Sequence, residues 1–240
     1  LAANFVLDQL NGEVPVFLYG DVSISENRSS LAKLRRGQYE GLEARFTGGQ
    51  WDDETTRMPD SWSGKWGESE ERFGAVAVGV RPVLVAYNVN VDEPVPVASK
   101  AAGSLVRTSG RLIKSATGEK VRARGMLDAV QGMGVPLPSH NICQVSMNLQ
   151  NHAITPMHLA FECVKSICAD HDVQLCGSEL VGLVPLQAML DSGNWYSSES
   201  ETDEQILVQA AIEGLGLNYL AEFDPQTRII EWAITNQLGD

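Results

Sequence analysis

The residues from Ile142 to Gln150 read ICQVSMNLQ and are the most informative segment of the chain. Apolar side chains alternate with polar ones, a period of two that predicts a β-strand with one apolar and one polar face. A strand that faces bulk water usually carries charged residues and threonine. Here the polar row consists of amides and a hydroxyl, so it indicates an enclosed, hydrated surface that holds something polar. The residues of the row are Gln144, Ser146, Asn148 and Gln150.

A second stretch, VLVAYNVNV at residues 83–91, repeats this alternation. Asparagine is depleted in strands, so the placement of Asn88 and Asn90 on one face needs a reason. One interpretation is a sheet surface that faces solvent. The other is that both strands form the floor of a ligand cleft. The sequence leaves both interpretations open.

The composition is that of an ordinary globular protein, with 240 residues, 43% hydrophobic and 20% charged. The net charge of −13 argues against a nucleic-acid partner, which needs a basic footprint. No apolar run approaches the ~20 residues of a membrane span, so we expect no membrane partner. The four cysteines lack C-x-x-C spacing, which favours reduced thiols in a cytoplasmic protein and argues against a zinc site.

A β-rich stretch at residues 74–91 is interrupted by Arg81-Pro82. Proline cannot donate to a central β-ladder, so we predict a boundary here, with one subdomain at residues 1–81 and another at 82–240. Arg81 is either a bidentate carboxylate ligand beside a cleft or part of an ordinary surface ion pair. Because Leu1 is not a methionine and a helical pattern is already under way, we expect a piece of a longer protein.

From residue 83 onward the predicted order is strand, helix, strand, strand, helix, strand, which is the ferredoxin-like order. We therefore predict an α/β fold of the α+β type, with helices outside. The polar face of this sheet should then be covered by the other subdomain across a ligand groove. The predicted strands lie at 83–91, 126–133, 142–150 and 173–175. The first predicted helix lies at 96–108, and the second begins with Thr155 as its cap and Pro156 at its first position. A basic, turn-rich stretch lies at 111–124, and further helices precede a final strand at 228–234.

The least periodic part of the chain is residues 47–73, which reads as a long loop. Its tryptophans, Trp51, Trp62 and Trp66, argue against disorder because such side chains must be buried against something. The loop is either a decorated surface loop or a source of donors to an anion. The donors would be Lys65, Arg72 and the backbone of Gly64, Gly67 and Gly74.

The usual catalytic motifs are missing from the sequence. It contains no dinucleotide fingerprint, no P-loop, no H-E-x-x-H and no G-x-S-x-G. His140 and Cys143 lie across a turn, so we do not assign them as a catalytic pair. His158 and Glu162 are one helical turn apart, which favours a structural pair. We therefore assign no catalytic residue.

Several segments together resemble the glutamate formimidoyltransferase family, the formiminotransferase domain of the formiminotransferase/cyclodeaminase family. The resemblance runs in order from about Val14 to Ile234. It is carried by VPVFLYGD (14–21), LRRGQYEGL (34–42), GAVAVGVRPVLVAYNVNV (74–91), QVSMNL (144–149), TPMHLAFE (155–162), GSELVGLVPLQAML (177–190) and LGLNYLAEFDPQTRIIEWAI (215–234).

The resemblance implies transfer of a formimidoyl group between N-formimidoyl-L-glutamate and tetrahydrofolate, as in histidine degradation. It also implies a cytoplasmic homodimer with tetrahydrofolate as co-substrate and no metal. The family's folate loop corresponds to Lys65, Trp66, Gly67, Arg72, Phe73 and Gly74. For such a reaction, Arg81, Lys65 and Arg72 are candidates to bind the carboxylates of the two glutamate moieties. Candidates to orient the reacting group are Asn88, Asn90, Gln144, Ser146 and Asn148.

One departure from the family concerns catalysis. The family's base is a histidine in an H-P-R-M-G-A-like segment, and none of the four histidines here has that context. The resemblance thus makes residues 1–81 the C-terminal part of the family's N-terminal subdomain and 82–240 its C-terminal subdomain. We expect the full-length protein to be an enzyme and this piece alone to be inactive. The alternatives are a non-catalytic folate-binding or dimerisation module on the same fold, or a relative that transfers formyl groups.

Overall fold

The computed structural model describes residues 2–10, 12–23, 26–48, 57–62, 64–198 and 201–238. The chain divides into two compact units, Leu1–Arg81 and Pro82–Asp240. Each unit has its own hydrophobic core. Helices pack around separate sheets, which confirms the predicted α+β class.

The first unit is built around two parallel strands, with Val16 opposite Val76. Parallel strands need a long crossover connection, and the connection here contains several short helices. The elements of this unit are α1 (Ala2–Gln9), β1 (Val16–Gly20), a 3₁₀ turn (Glu26–Arg28), α2 (Leu31–Leu34), α3 (Leu42–Thr47), α4 (Glu68–Phe73) and β2 (Val76–Val80).

Aromatic side chains fill the core of the first unit. Phe46 packs against Trp62 and Trp66, with ring-centroid distances of 4.8 and 5.3 Å. These two tryptophans are therefore anchored as predicted, whereas Trp51 lies outside the described residues. The predicted loop at 47–73 is wrong at its end, because α4 occupies the last six residues.

The second unit contains a four-stranded antiparallel sheet in the order β6-β7-β3-β8. Among the described residues, no helix is long and apolar enough to cross a membrane. The elements are β3 (Val85–Val91), α5 (Ala98–Val106), β4 (Arg111–Lys114), β5 (Lys120–Ala123), β6 (Val130–Leu137), a 3₁₀ turn (Pro138–His140), β7 (Ile142–Leu149), α6 (Met157–Ala169), β8 (Leu175–Val181), α7 (Leu186–Tyr196), α8 (Glu204–Leu215), α9 (Pro225–Arg228) and α10 (Ile230–Leu238).

The order β3-α5-β6-β7-α6-β8 in this sheet confirms the predicted ferredoxin-like topology. The helices cover one face, where the apolar residues of β3 and β7 form a continuous core with α5 and α6. Helix α5 lies close to β6. A Cβ atom on Gly103 would stand 2.6 Å from the backbone nitrogen of Gly134. Only glycine permits so close an approach of α5 to β6. The helix therefore packs tightly on one face of the sheet, and the polar residues lie on the other face.

The basic stretch at 111–124 forms a hairpin that the sequence did not predict. Strands β4 and β5 pair antiparallel, with Arg111 opposite Ala123 and Lys114 opposite Lys120. All four residues of β4 are exposed, so the hairpin has no buried face that would produce an apolar alternation. The structure thus inserts a solvated hairpin between α5 and β6.

Two further predictions about local structure are wrong. Thr155 does not cap α6, because its hydroxyl donates to the carbonyl oxygen of Asp128 at 2.6 Å. Residues 228–234 do not form the predicted strand: Arg228 ends α9, Ile229 makes a single parallel bridge to Val184, and α10 begins at Ile230. Asp224 caps the start of α9, because its carboxylate accepts a hydrogen bond from the Gln226 amide at 3.0 Å. The next residue, Pro225, occupies the first helical position.

Candidate functional site

The polar residues of β3 and β7 lie on one face of the four-stranded sheet. Asn88 stands opposite Ser146, Asn90 opposite Gln144, and Asn148 opposite an alanine of β3. Directly opposite residues of an antiparallel pair project to the same side. The predicted shared face is therefore confirmed, while the binding role of these five residues stays a prediction.

Two more polar residues join this face from the edge strands. Glu179 of β8 is opposite Asn88, and Gln131 of β6 is opposite Asn148. Neither residue was predicted from the sequence, because neither lies in a stretch with a polar row of its own. Only the pairing of distant strands brings them beside the central amides.

Side-chain hydrogen bonds connect three strands across the face. The Nε2 group of Gln144 donates to Asn90 Oδ1 at 2.8 Å and to Glu179 Oε2 at 3.1 Å. Asn88 Nδ2 donates to the same Glu179 oxygen at 3.3 Å. Asn90 is 0% exposed and Gln144 is 5% exposed. At these two positions the surface is enclosed and does not face bulk water.

One amide group in this network lacks a partner. Asn90 Nδ2 is buried and makes no hydrogen bond to any residue in the described part of the chain. A buried donor without a partner costs about 1–3 kcal/mol. The group is therefore available to a ligand that carries an acceptor.

A cavity of about 320 Å³ opens beside the polar face. Ser146, Asn148 and Gln131 contribute polar groups, and Arg107 is the one charged residue among the described residues that line it. The Nε group of Arg107 donates to the carbonyl oxygen of Gly110 at 2.7 Å, which orients the guanidinium. The cavity thus combines neutral amides with one cation, an arrangement suited to a polar ligand with a carboxylate.

The site residues predicted in the first unit differ in their exposure to solvent. Lys65, Arg72 and Arg81 are exposed, and Trp66 belongs to the aromatic core. Gly67 was predicted to offer its amide to an anion, but that amide donates to the carboxylate of Glu70 at 3.0 Å. The first turn of α4 thus supplies an acidic acceptor for this amide, and the Gly74 amide donates to the carbonyl oxygen of Glu70 at 2.8 Å. The anion-binding role of both amides stays a prediction.

A second cavity, of about 220 Å³, lies within the first unit and includes Phe73 and Gly74. Its basic lining comes from Arg35, Arg36 and Arg45. Burial, with a smaller contribution from the nearby Arg28, lowers the pKa of Arg45 to about 10, so it remains a cation at neutral pH. The sequence analysis did not identify Arg45.

The remaining titratable residues do not build a nucleophilic site here. Cys143 is buried on the apolar face, and burial raises the pKa of its thiol. His158 stacks on Trp195 with a centroid distance of 5.2 Å, and burial lowers its pKa. Among the described residues, no hydrogen bond joins the predicted pair of His158 and Glu162. Glu162 accepts from the hydroxyl of Tyr196 at 3.2 Å and from Lys165 Nζ at 3.3 Å, and it acts on His158 only as a nearby negative charge. Across the described ranges, no group of three or more His, Cys, Asp or Glu residues is placed to hold a metal.

Comparisons with known proteins give matches in both units. The family described as "Formiminotransferase domain, N-terminal subdomain" matches residues 2–81, and "Formiminotransferase domain" matches 86–235. The formimidoyltransferase-cyclodeaminases of Dictyostelium discoideum and Mus musculus are 36% and 34% identical over 94% and 95% of the chain. The chain covers only 39% of the length of each of these two relatives. The glutamate formimidoyltransferase of Streptococcus pyogenes serotype M1 is 31% identical, over 84% of this chain and 61% of its own length.

Proposed function

Since this chain belongs to the formiminotransferase family, we propose that the full-length protein transfers a formimidoyl group between N-formimidoyl-L-glutamate and tetrahydrofolate. The observation that carries the proposal is the extent of the family match, which covers residues 2–81 and 86–235 and thus both compact units. Relatives named for this activity support the same class of reaction.

The proposed chemistry explains which groups the site needs. An amine nitrogen of tetrahydrofolate attacks the amidine-type carbon of the donor, and a tetrahedral intermediate forms. A proton then moves between nitrogens and the bond from carbon to the glutamate nitrogen breaks. The reaction therefore requires a base, cations for the carboxylates of the two glutamate moieties, and neutral amides that orient the reacting group.

The polar face supplies groups of this kind. We assign the orienting role to the five predicted residues and add Gln131, which shares the cavity with Ser146 and Asn148. Arg107 is the candidate carboxylate ligand of that cavity. In the first unit, the exposed Lys65, Arg72 and Arg81 remain candidates for the other carboxylates, and a groove between the two subdomains stays a prediction. The complete list of orienting candidates is Asn88, Asn90, Gln131, Gln144, Ser146 and Asn148.

The described residues of the polar face include no histidine that could act as the base. None of the four histidines lies within the four strands of the polar face, and none stands in an H-P-R-M-G-A-like segment. We therefore expect the 240-residue chain alone to bind ligand but to turn over ~10²–10⁴-fold more slowly than the full-length protein, the usual contribution of a positioned base. Steady-state kcat of the two proteins, measured with the same donor, checks this. Equal kcat values would place the base within these residues.

The proposed reaction is tested with two donors. Purified full-length protein is incubated with tetrahydrofolate and either N-formimidoyl-L-glutamate or N-formyl-L-glutamate, and the folate product is followed by absorbance. We expect faster transfer from the formimidoyl donor. Faster transfer from the formyl donor would identify a formyl-transferring relative. Folate binding without transfer from either donor would identify a binding or dimerisation module.

The role of the polar strand is tested by Asn148→Leu. This change removes two hydrogen-bonding groups from the cavity and keeps the branched shape and the number of side-chain heavy atoms. We therefore expect about tenfold weaker binding of folate or formimidoylglutamate without unfolding. Calorimetry measures the affinity and circular dichroism the fold. The control is Gln150→Leu, because Gln150 is exposed just beyond the end of the same strand. An unchanged affinity in Asn148→Leu would show that this strand does not contribute to ligand binding.

We also propose a cytoplasmic homodimer with no metal in its site. The four cysteines are free thiols, which supports a reducing compartment. The dimer rests on the resemblance to the family. Light scattering of the full-length protein measures the assembly directly, and twice the chain mass is the expected result.

A further inference from the structure

Glu179 differs from every other residue on the polar face because it is charged. The strand register places residues of β3, β6, β7 and β8 on this face, and among them Glu179 alone carries a charge. Its neighbours are the amides of Asn88 and Gln144. A carboxylate among neutral amides is a different kind of binding group from those that the sequence predicted.

The hydrogen bonds of this carboxylate are unevenly distributed. Both amides donate to Oε2, at 3.3 Å from Asn88 and 3.1 Å from Gln144. Oε1 accepts no hydrogen bond from any residue that the structure describes, and no described Lys, Arg or His forms an ion pair with Glu179. The side chain is half-buried. A partly buried carboxylate without a cation is unfavourable, so its presence indicates a ligand with a positive charge and N–H donors.

We propose that Glu179 binds the formimidoyl group of the donor in its protonated, amidinium form, an inference that rests on the proposed function. An amidinium carries a delocalised positive charge and N–H groups that point to one side. A carboxylate oxygen accepts such groups in a charge-assisted hydrogen bond. The two amides hold Oε2 in place, so Oε1 is presented to the ligand with little loss of side-chain entropy. The unpartnered Asn90 Nδ2 of the same network donates to the carboxylate next to the amidinium.

This arrangement makes Glu179 a specificity-determining residue. A formyl group is neutral and presents a carbonyl oxygen at the position where the amidinium presents N–H. The carboxylate of Glu179 repels that carbonyl oxygen, and its Oε1 atom then accepts no hydrogen bond from the formyl oxygen. Glu179 therefore favours formimidoyl over formyl donors.

The test compares Glu179→Gln with wild type in the full-length protein. The variant keeps the size of the side chain and removes its charge. We expect the KM for N-formimidoyl-L-glutamate to rise at least tenfold while the KM for tetrahydrofolate is unchanged. The ratio of kcat/KM for the formimidoyl donor over the formyl donor should fall at least tenfold, and Glu179→Asp should restore part of it. Glu222→Gln is the matched control, since Glu222 is exposed, and should keep the wild-type ratio.

The outcomes separate this inference from the proposed function. A wild type that transfers no formimidoyl group overturns the function. A wild type that prefers the formimidoyl donor, with the same preference in Glu179→Gln, overturns the role of Glu179 and leaves the function standing. If Glu179→Gln does not fold, inhibition of the wild type by formamidinium is compared with inhibition by neutral formamide. Stronger inhibition by formamidinium supports the proposal, and equal inhibition overturns it.

Discussion

Replacement of Asp60 by alanine is expected to destabilise the first unit by about 3–5 kcal/mol. The Oδ2 atom of Asp60 accepts from the guanidinium of Arg28 and from the backbone amide of Leu18 at 2.6 Å. Arg28 is only 1% exposed, so its charge stays buried when the carboxylate is removed. The loss of one member of a buried ion pair costs more than the pair itself contributes, because the other charge keeps its desolvation penalty.

The effect can be measured locally by amide hydrogen exchange of β1, which contains Leu18. Asp21→Ala is the control, since Asp21 is exposed and should change the free energy of opening by less than about 0.5 kcal/mol. The double variant Arg28→Met/Asp60→Leu should recover part of the stability, because it removes the buried guanidinium charge together with its carboxylate partner. A change below about 1 kcal/mol in Asp60→Ala would contradict the prediction.

The second large effect on stability concerns Glu93, whose carboxylate accepts hydrogen bonds from the backbone amides at the start of α5. Its Oε2 accepts from Val97 at 3.2 Å and Ala98 at 2.9 Å, and its Oε1 accepts from Ser99 at 2.8 Å. Glu93 is 7% exposed. Glu93→Ala leaves three helix N–H groups without this acceptor, two of them in buried hydrogen bonds, so we expect a loss of about 3 kcal/mol in the second unit.

The same interaction makes this stability depend on pH. Burial raises the pKa of Glu93, but the hydrogen bonds from Ser99, Ala98 and Val97 outweigh it and hold the pKa below the ordinary value of 4.5. A carboxyl whose pKa is lower in the folded state contributes stability that is fully present above its unfolded value and is lost as the pH falls through its folded value. The advantage of wild type over Glu93→Gln should therefore be largest near neutral pH and shrink below 4.5.

Urea denaturation of both proteins across this pH range provides the measurement. The difference between wild type and Glu93→Gln isolates Glu93 from the other carboxyl groups, which titrate in both proteins. Glu222→Gln is the control, because Glu222 is exposed. A difference that grew on acidification would show that the carboxylate is not stabilised by the start of α5.

The two central strands and their shared polar face were predictable from the amino-acid sequence alone. In a strand, successive side chains point to opposite sides, so the polar row from Gln144 to Asn148 was readable from local alternation. Apart from the hairpin of β4 and β5, the order of strands and helices in 83–181 followed from the same local signals. The apolar run RIIEWAI did not suffice, because short apolar runs do not distinguish a strand from a helix.

Only the tertiary structure decided which other residues join that face. Asn88 and Glu179 are separated by 91 positions, and their hydrogen bond exists because β8 pairs with the edge of β3. Arg107 enters the cavity because it follows α5, which the close approach of Gly103 to Gly134 holds beside the sheet. Strand pairing and backbone packing are non-local, so no periodicity along the chain records them. For this reason the sequence specified the amides of β3 and β7, and the fold added Gln131, Glu179 and Arg107.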